Sequence, residues 1–378
     1  MDVSLRAINV LRENERVTLK LRELYELYGY KKFTMVKFEE YDFYAQNMDY
    51  LQNNRLMTFT ESTGKLMALR PDVTMSIIKR TKAGAENCEK LYYTENVYRT
   101  RSMSAEFEES SQIGIEHIGA VDQYTNIELT SLALKSLGII EDENILDISH
   151  MGFLSGMLSK SGATASLKAK ILRCIEEKNA HELRLIASGT LSQELTDKLV
   201  AIMHLPSSFE EAVSFIYTLC VNDQMKSAYD ELRDLCIAMD QSGLLDRIRL
   251  DFSIASDTEY YNGIMFRGYV QGVSKAVLSG GRYDLLLSKM GKPGLQAIGF
   301  AIYFDELERY LNASIDNSVD AVIIYNEGSD MMMLISTIDR LTQSGKRVWA
   351  GKHPPDGMHW NELYSIENSS LKKEEQNA

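Results

Sequence analysis

The sequence predicts an α+β protein with an antiparallel sheet core, a helical insertion and a small C-terminal βαβ unit. Two segments rich in aromatic and β-branched residues, 91–99 and 111–118, are typical of paired antiparallel strands. Between residues 151 and 245 the pattern is helical, and strand character resumes over 247–301. Interleaved helices and mainly antiparallel strands favour an α+β core over a doubly wound parallel sheet.

The first elements follow from periodicity and from turn residues. Apolar residues at helical spacing predict a helix over 5–28, which Gly29 ends before an extended segment. Residues 67–70 are typical of a strand that Pro71 closes. A helix is expected over 72–82, because proline is well suited to a first helical turn.

The next elements lead into the helical block. A helix is predicted over 125–137, where Gly138 stops it, and a strand over 145–150. Residues 151–245 carry helical patterns without strand signals, so they fit an insertion into the sheet domain.

The C-terminal region predicts one small unit behind a linker. Residues 312–318 are short and mostly polar, as linkers often are. A strand over 319–325, a helix over 330–344 and a second strand over 346–350 would form a single βαβ unit. Residues 367–378 are polar, and we expect them to fray.

Composition narrows the class of protein. The 378 residues suffice for a large core with smaller units, and no apolar run approaches the ~20 residues that span a bilayer. Cys88, Cys174, Cys220 and Cys236 form no Cys-x-x-Cys pair, which favours reduced thiols in the cytoplasm. The six histidines show no ligand spacing, so we expect no metal, and no cofactor motif is present.

Four stretches, in the same order, resemble the histidyl-tRNA synthetase family of class II synthetases. They lie in residues 29–39, 69–74, 97–119 and 260–301. The first is similar to motif 1, a dimerisation element, with Val36 in place of the family's proline. The third is similar to motif 2 and the strand that follows it. The resemblance implies a class II synthetase-like antiparallel sheet.

The same resemblance implies a division into domains. A synthetase-like core would comprise 1–150 and 246–311, with the helical insertion over 151–245. The small α/β domain over 319–366 resembles the opening of the synthetase's anticodon-binding domain.

Two positions depart from the synthetase pattern in a way that bears on catalysis. Ser256 and Glu306 stand where the family has arginine. Adenylate formation develops negative charge that fixed cations stabilise, and neither residue supplies one. Glu106, Glu108 and Glu109 in the loop after motif 2 would repel ATP and tRNA, unless this is simply a solvated acidic loop. The net charge of −13 also disfavours tRNA binding.

With these departures, the chain resembles a paralogous family, the regulatory subunits of ATP phosphoribosyltransferase in histidine biosynthesis. The resemblance implies a non-catalytic subunit that activates a short-form catalytic subunit and contributes to histidine feedback. It also implies self-association through the motif 1-like region, and no binding of tRNA or membrane. A divergent histidyl-tRNA synthetase, a histidine-activating ligase and a free-standing histidine sensor are the alternatives.

The resemblance assigns eight side chains to a histidine-like pocket and none to catalysis. They are Asp72, Thr74, Arg99, Gln112, Glu116, Tyr260, Tyr261 and Tyr283. Asp72, Thr74 and Gln112 would hold the main-chain end of the amino acid. Glu116, with the last two tyrosines, would contact the imidazole. Whether histidine occupies this pocket or an interface with a partner is left open by the sequence.

Each assignment has a structural alternative. Asp72 could be only a first-turn helix carboxylate, Arg99 could form a structural ion pair, and the tyrosines could pack in the core. For Glu116, which lies between apolar neighbours on a strand, burial without a partner is costly and favours a bound cation or donor. His117 would point to the opposite face of the sheet, so we exclude it from the site.

Overall fold

The computed structural model places most of the chain in two compact units. It describes residues 11–48, 51, 55–84, 87–100, 106–159, 161–254, 260–311, 318–367 and 370–374. One unit comprises the described residues of Asn14–Tyr310, and the other comprises the described residues of Met1–Glu13 and Leu311–Ala378. The division into domains at residues 150 and 245 stays a prediction.

The larger unit alternates helices and strands before and after a helical block. Its helices are α1 (Glu13–Leu27), α2 (Tyr41–Ala45), α3 (Val73–Arg80), α4 (Gln123–Ile140), α5 (Met151–Ser159), α6 (Ala165–Glu176), α7 (Ala180–Ala187), α8 (Gln193–Ala201), α9 (Phe209–Tyr217), α10 (Asp223–Gln241), α11 (Asp284–Lys289) and α12 (Phe304–Leu311). Its strands are β1 (Lys31–Lys32), β2 (Phe38–Glu40), β3 (Thr58–Thr60), β4 (Leu66–Leu69), β5 (Glu89–Thr100), β6 (Phe107–Gly119), β7 (Asn144–His150), β8 (Ile248–Leu250), β9 (Ile264–Val270), β10 (Leu278–Arg282) and β11 (Gln296–Tyr303).

The main sheet has eight strands in the order β1-β5-β6-β11-β10-β9-β7-β8. The six central strands pair antiparallel, and the pairs at the two edges, β1–β5 and β7–β8, are parallel. A separate small sheet has the order β2-β4-β3. The predicted α+β class and the antiparallel pairing of β5 with β6 are confirmed.

The two faces of the main sheet differ because successive side chains alternate between them. On one face, Tyr25 of α1 packs against Tyr92 and Phe300, with ring centroids 6.2 and 6.3 Å away. On the other face, Glu116 of β6 lies opposite Gly299 of β11. This second face carries the candidate site.

Local sequence signals explain most helix beginnings. In the described part of the larger unit, seven helices start after a side chain that accepts a hydrogen bond from a backbone N–H three residues on, the N-capping arrangement. The capping residues are Asp72, Asp122, Thr164, Asn179, Ser192, Ser208 and Asn222.

The predicted beginning of α1 can be tested only in part, and the predicted end of α4 was wrong. Helix α1 begins at Glu13, and residues 5–10 of the predicted helix lie outside the described part of the chain. Helix α4 continues through Gly138 to Ile140. A glycine inside a helix costs about 1 kcal/mol relative to alanine. Burial of Leu134, Leu137 and Ile140 on that turn outweighs this cost.

The smaller unit contains more strands than the sequence predicted. Its elements are β12 (Ser318–Tyr325), α13 (Met331–Gln343), β13 (Val348–Gly351), β14 (His359–Glu367) and β15 (Ser370–Glu374). Strands β12 and β13 are parallel, as a βαβ unit requires. Strand β14 adds to β12 in parallel and pairs antiparallel with β15, giving the order β13-β12-β14-β15.

The expectation that residues 367–378 fray was wrong for 370–374, which form β15. Leu371 packs on the apolar cluster that contains Ile323 and Ile366. Lys372 pairs with Glu367 at 2.8 Å. The polar composition of this segment therefore reflects a solvent-facing edge strand. Among the described residues, none of the helices is long and apolar enough to span a membrane.

Candidate functional site

The first turn of α3 brings two of the predicted site residues to the sheet. Asp72 caps this helix, because its Oδ1 accepts from the Met75 backbone N–H at 2.8 Å while its own backbone is extended. Thr74 lies in the turn that follows, and its Oγ1 donates to Glu116 at 2.8 Å. The helix-cap alternative for Asp72 is therefore present, and its Oδ2 is left for other contacts.

Glu116 of β6 is the centre of the site. Its side chain is buried, and it accepts hydrogen bonds from Tyr283 Oη at 2.5 Å and from Thr74 Oγ1 at 2.8 Å. The pKa of this carboxyl is raised to about 8, mainly by burial and to a smaller extent by the charge of Asp72. The two hydroxyl donors act in the opposite direction and limit the rise. Glu116 is thus a buried acid held by two neutral donors.

Three tyrosines surround this acid. The ring centroids of Tyr260 and Tyr261 lie 4.6 Å apart, edge to face, and those of Tyr260 and Tyr283 lie 5.9 Å apart. Burial raises the pKa of Tyr260 and Tyr283 well above the usual tyrosine value. These hydroxyls therefore keep their protons and act as hydrogen-bond donors.

Tyr93 of β5 is a further site residue that sequence reasoning missed. It is fully buried, and it lies in cross-strand register with Gly114 on the same face as Glu116. A Cβ added to Gly114 would come within 2.5 Å of Tyr93 Oη. Gly114 was the sequence signal that could have revealed Tyr93, because a glycine leaves room for a large cross-strand neighbour.

Two glycines of β10 and β11 leave space for the side chains of the site. A Cβ at Gly299 would lie 1.8 Å from Glu116 Oε2. Gly281 has φ +156, and a Cβ there would meet Tyr261 Cδ1 at 2.9 Å. The glycines of β10 and β11 therefore make space for the acid and for one of the tyrosines.

Gln112 brings an unsatisfied donor to this face. It lies four residues before Glu116 on β6, so alternation places both side chains on one side of the sheet. Gln112 is buried, and its Nε2 has no hydrogen-bond partner among the described residues. A buried unpaired amide donor is costly unless a ligand oxygen accepts from it.

Arg99 of β5 connects to the first turn of α3. Its Nε donates to the Pro71 carbonyl at 2.7 Å, and its Nη2 lies 3.5 Å from Asp72 Oδ2. The side chain is about one-third exposed, at 38%. The ion-pair alternative considered for Arg99 is therefore present, with the predicted ammonium-binding residue as the partner.

The sequence profile of the family described as "Histidyl-tRNA synthetase" matches residues 9–307, most of the chain. The chain belongs to the histidyl-tRNA synthetase family. The resemblance inferred from the motifs is confirmed.

The relatives that match this chain carry two kinds of name, histidine–tRNA ligase and ATP phosphoribosyltransferase regulatory subunit. The chain is 27% identical over 345 residues to a histidine–tRNA ligase of Methanocaldococcus jannaschii, covering 89% of this chain and 82% of the relative. It is also 27% identical over 364 residues to an ATP phosphoribosyltransferase regulatory subunit of Clostridium acetobutylicum, covering 93% and 88%.

Solved structures show the same fold. A structure described as an ATP phosphoribosyltransferase regulatory subunit/histidyl-tRNA synthetase, from Bacillus halodurans C, has a TM-score of 0.74 at 23% identity and covers 94% of each chain. An ATP phosphoribosyl transferase complex from Thermotoga maritima contains a chain with a TM-score of 0.61 at 18% identity, covering 76% of this chain and 96% of that one.

One of the two departures from the synthetase family pattern is visible in the structure. Glu306 lies in the first turn of α12, and its Oε1 is 2.9 Å from Lys275 Nζ. Ser256 lies outside the described residues. At the position of Glu306 the family's arginine is thus replaced by an acid that is already paired.

The acidic segment after motif 2 is described only in part, and the expectation that it is a loop was wrong for Glu108 and Glu109, which lie on β6 and pair with β5. Residues 101–105 lie outside the described ranges. Glu109 accepts from Tyr98 Oη at 3.0 Å and from the Asn96 amide, and the Asn96 and Tyr98 hydrogen bonds lower its pKa. This carboxylate remains charged at neutral pH, so it is repulsive to an anion.

The structure therefore brings together most of the eight predicted residues. Five of them form one connected set through the contacts above: Thr74, Glu116, Tyr260, Tyr261 and Tyr283. The Asp72–Arg99 pair adjoins this set at the first turn of α3, and Gln112 shares the sheet face of Glu116. Their role in binding a ligand stays a prediction. In the described part of the chain, no cluster of three or more His, Cys, Asp or Glu side chains is arranged to hold a metal.

Proposed function

We propose that this protein is a non-catalytic regulatory subunit of ATP phosphoribosyltransferase in histidine biosynthesis. It binds a short-form catalytic subunit, activates it and contributes to histidine feedback. The observation that carries the proposal is the combination of an intact acid-and-tyrosine pocket around Glu116 with Glu306 at an arginine position. Relatives that bear this name align with 93% and 86% of the chain, which supports the proposal.

The electrostatics of the site argue against adenylate formation. A phosphoryl-transfer site needs fixed cations directed at the developing charge. Three basic side chains of the relevant segments are instead engaged with carboxylates: Arg99 with Asp72, Lys275 with Glu306 and Arg282 with Asp284. A triphosphate would have to displace these partners before it gained any stabilisation.

The pocket supports histidine as the ligand. Asp72 would accept the ammonium, and Arg99 with the unpaired Gln112 amide would take the carboxylate. Glu116 and the tyrosine hydroxyls would contact the imidazole. Feedback then requires histidine to bind one state of the complex more tightly than the other.

Self-association through the motif 1-like region forms part of the proposal. Val36, Phe38 and Phe59 are exposed beside the small sheet, and the two phenylalanine rings pack edge to face at 5.5 Å. Exposed apolar groups of this kind mark interaction surfaces when they are contiguous. The four cysteines are free, which suits a cytoplasmic location.

The second candidate is a divergent histidyl-tRNA synthetase or a histidine-activating ligase. The relative from Methanocaldococcus jannaschii and the retained Arg99 favour it. Both alternatives make an adenylate, whereas the proposed regulatory subunit does not.

One pair of assays separates these functions. The purified protein should show no histidine-dependent ATP–pyrophosphate exchange. A short-form catalytic subunit should co-purify with it and gain phosphoribosyltransferase activity in its presence. Exchange well above background would reject the proposal in favour of the enzyme, and histidine binding without any effect on a catalytic subunit would favour a free-standing sensor.

A further inference from the structure

Among the described residues, Glu116 has no counter-ion. Its two hydrogen bonds come from the hydroxyls of Tyr283 and Thr74, both of which are neutral donors. No lysine, arginine or histidine of the described ranges donates to this carboxyl or forms an ion pair with it. The residue is 2% exposed, so bulk solvent screens its charge poorly.

Among the described residues, the titratable groups that face Glu116 or sense its charge are acidic or neutral, and they include Tyr30 after α1. Asp72 lies at the start of α3, Tyr93 on β5, Tyr260 before β9 and Tyr283 after β10, and each senses or influences the charge of Glu116. On the side of the sheet, the uncharged Gly299 of β11 lies next to the Glu116 carboxyl. Arg99 is directed at Asp72. A second negative charge beside Asp72 is unfavourable in such a setting.

We propose that Glu116 holds a proton in the empty site and presents it to the ligand's ring. The protonated carboxyl donates a hydrogen bond to the unprotonated ring nitrogen of an imidazole that docks against it. The proton stays on Glu116, so no bond is broken and the buried pair remains neutral. This inference rests on the proposed histidine-binding function and extends it to the protonation state of the site.

The stored proton defines the class of ligand. A ring base that is neutral near neutral pH, such as imidazole, can accept a hydrogen bond from the protonated carboxyl. A side chain that is already cationic, such as lysine, would have to expel the proton to solvent, and an apolar ring offers no acceptor. Imidazole titrates near pH ~6.5. Burial places the pKa of the Glu116 carboxyl at about 8. Affinity for histidine should therefore be greatest between these two values.

Calorimetric titration with histidine in buffers of different ionisation enthalpy tests the inference. Near neutral pH the expected net proton uptake is close to zero, because the empty carboxyl already holds the proton that the complex needs. Well above its pKa, Glu116 should take up about one proton, beyond any uptake by the ligand's amino group, and well below the pKa of imidazole about one proton should be released. Uptake of a full proton at neutral pH would show that Glu116 is ionised in the empty site and would overturn the inference.

Glu116→Gln supplies the matched variant. It preserves the shape, and its amide can accept from one of the two hydroxyls and donate to the other, but it carries no titratable proton. Proton uptake at alkaline pH should fall by about one proton in this variant. Glu231→Gln is the control, since Glu231 is a partly buried acid that pairs with His150 at 3.2 Å. Its proton linkage to histidine should match that of the parent protein.

Infrared spectroscopy of the ligand-free protein gives an independent readout. A protonated-carboxyl stretch should be present at neutral pH, absent in Glu116→Gln and retained in Glu231→Gln. Its absence from the parent protein would overturn the inference. If the band is present but histidine gives no heat at any pH, then histidine is rejected as the ligand, and the proposed pocket function fails while the protonated state of Glu116 stands.

Discussion

The Glu306 carboxylate lies 2.9 Å from the Lys275 ammonium. This ion pair occupies a position where the histidyl-tRNA synthetase family has an arginine. The substitution does more than remove a cation, because the new acid also engages a lysine from the turn between β9 and β10. Binding of a triphosphate there would require a lysine to leave its partner.

Reversing this charge should not create an adenylating enzyme. Glu306→Arg removes a largely exposed ion pair, so the free energy of unfolding should change by less than about 1 kcal/mol. ATP–pyrophosphate exchange should remain at background, since Ser256 also lacks a guanidinium. Glu306→Gln serves as the charge-neutral control. Measurable exchange in the arginine variant would show that one cation suffices.

Gly299→Ala should strongly disturb the site. The added Cβ would lie 1.8 Å from Glu116 Oε2 and 2.5 Å from the Ile115 carbonyl, and the backbone cannot move aside. Overpacking of this kind costs about 1–3 kcal/mol or more. Denaturant unfolding measures the loss. Gly84→Ala, where a Cβ meets nothing within 4 Å, is the control and should be nearly neutral.

Asp72→Asn should separate the two roles of this residue. Asparagine can cap α3 as well as aspartate, so stability should fall by only a few tenths of a kcal/mol. Histidine affinity should drop at least about tenfold, because the charge for the ligand ammonium and the Arg99 pair are both lost. Asp72→Ala should lose affinity and also about 1 kcal/mol of stability. Unchanged affinity in Asp72→Asn would restrict Asp72 to the cap.

Glu116 should make folding stability depend on pH. Its pKa in the folded protein is about 8, above the ordinary value of 4.5. A raised carboxyl pKa means that the contribution to stability is complete below pH 4.5 and is lost as the pH rises through the folded value. At about 1.4 kcal/mol per pH unit, the loss amounts to several kcal/mol.

Thermal unfolding of the parent protein and of Glu116→Gln at acidic and mildly alkaline pH measures this effect. The variant should lose less stability than the parent on going to alkaline pH. Parallel pH profiles for the two proteins would assign the pH dependence to other groups.

Phe38→Glu should weaken self-association. The ring is exposed and packs on Phe59, so the carboxylate would lie in the centre of the proposed contact surface. Sedimentation analysis should show a shift toward the monomer, with thermal unfolding at low protein concentration little changed. Phe107→Glu, an exposed phenylalanine on β6, is the control. If both variants retain the parent's mass, self-association uses another surface.

Local signals in the sequence determined much of the fold. Aromatic and β-branched runs marked β5 and β6, and the Pro71-Asp72 pair marked the beginning of α3. The motif spacing identified the family and assembled the eight pocket residues. These features were readable because each depends on neighbours within a few positions along the chain.

Tertiary structure alone decided the remainder. Strand β15 forms because Leu371 finds a distant apolar cluster, although its composition is polar. Tyr93 joins the site because Gly114 faces it across the strands. The protonated state proposed for Glu116 depends on its two neutral donors and on the lack of a paired cation among the described residues. Long-range pairing and burial set these properties, and neither is encoded in the order of adjacent residues.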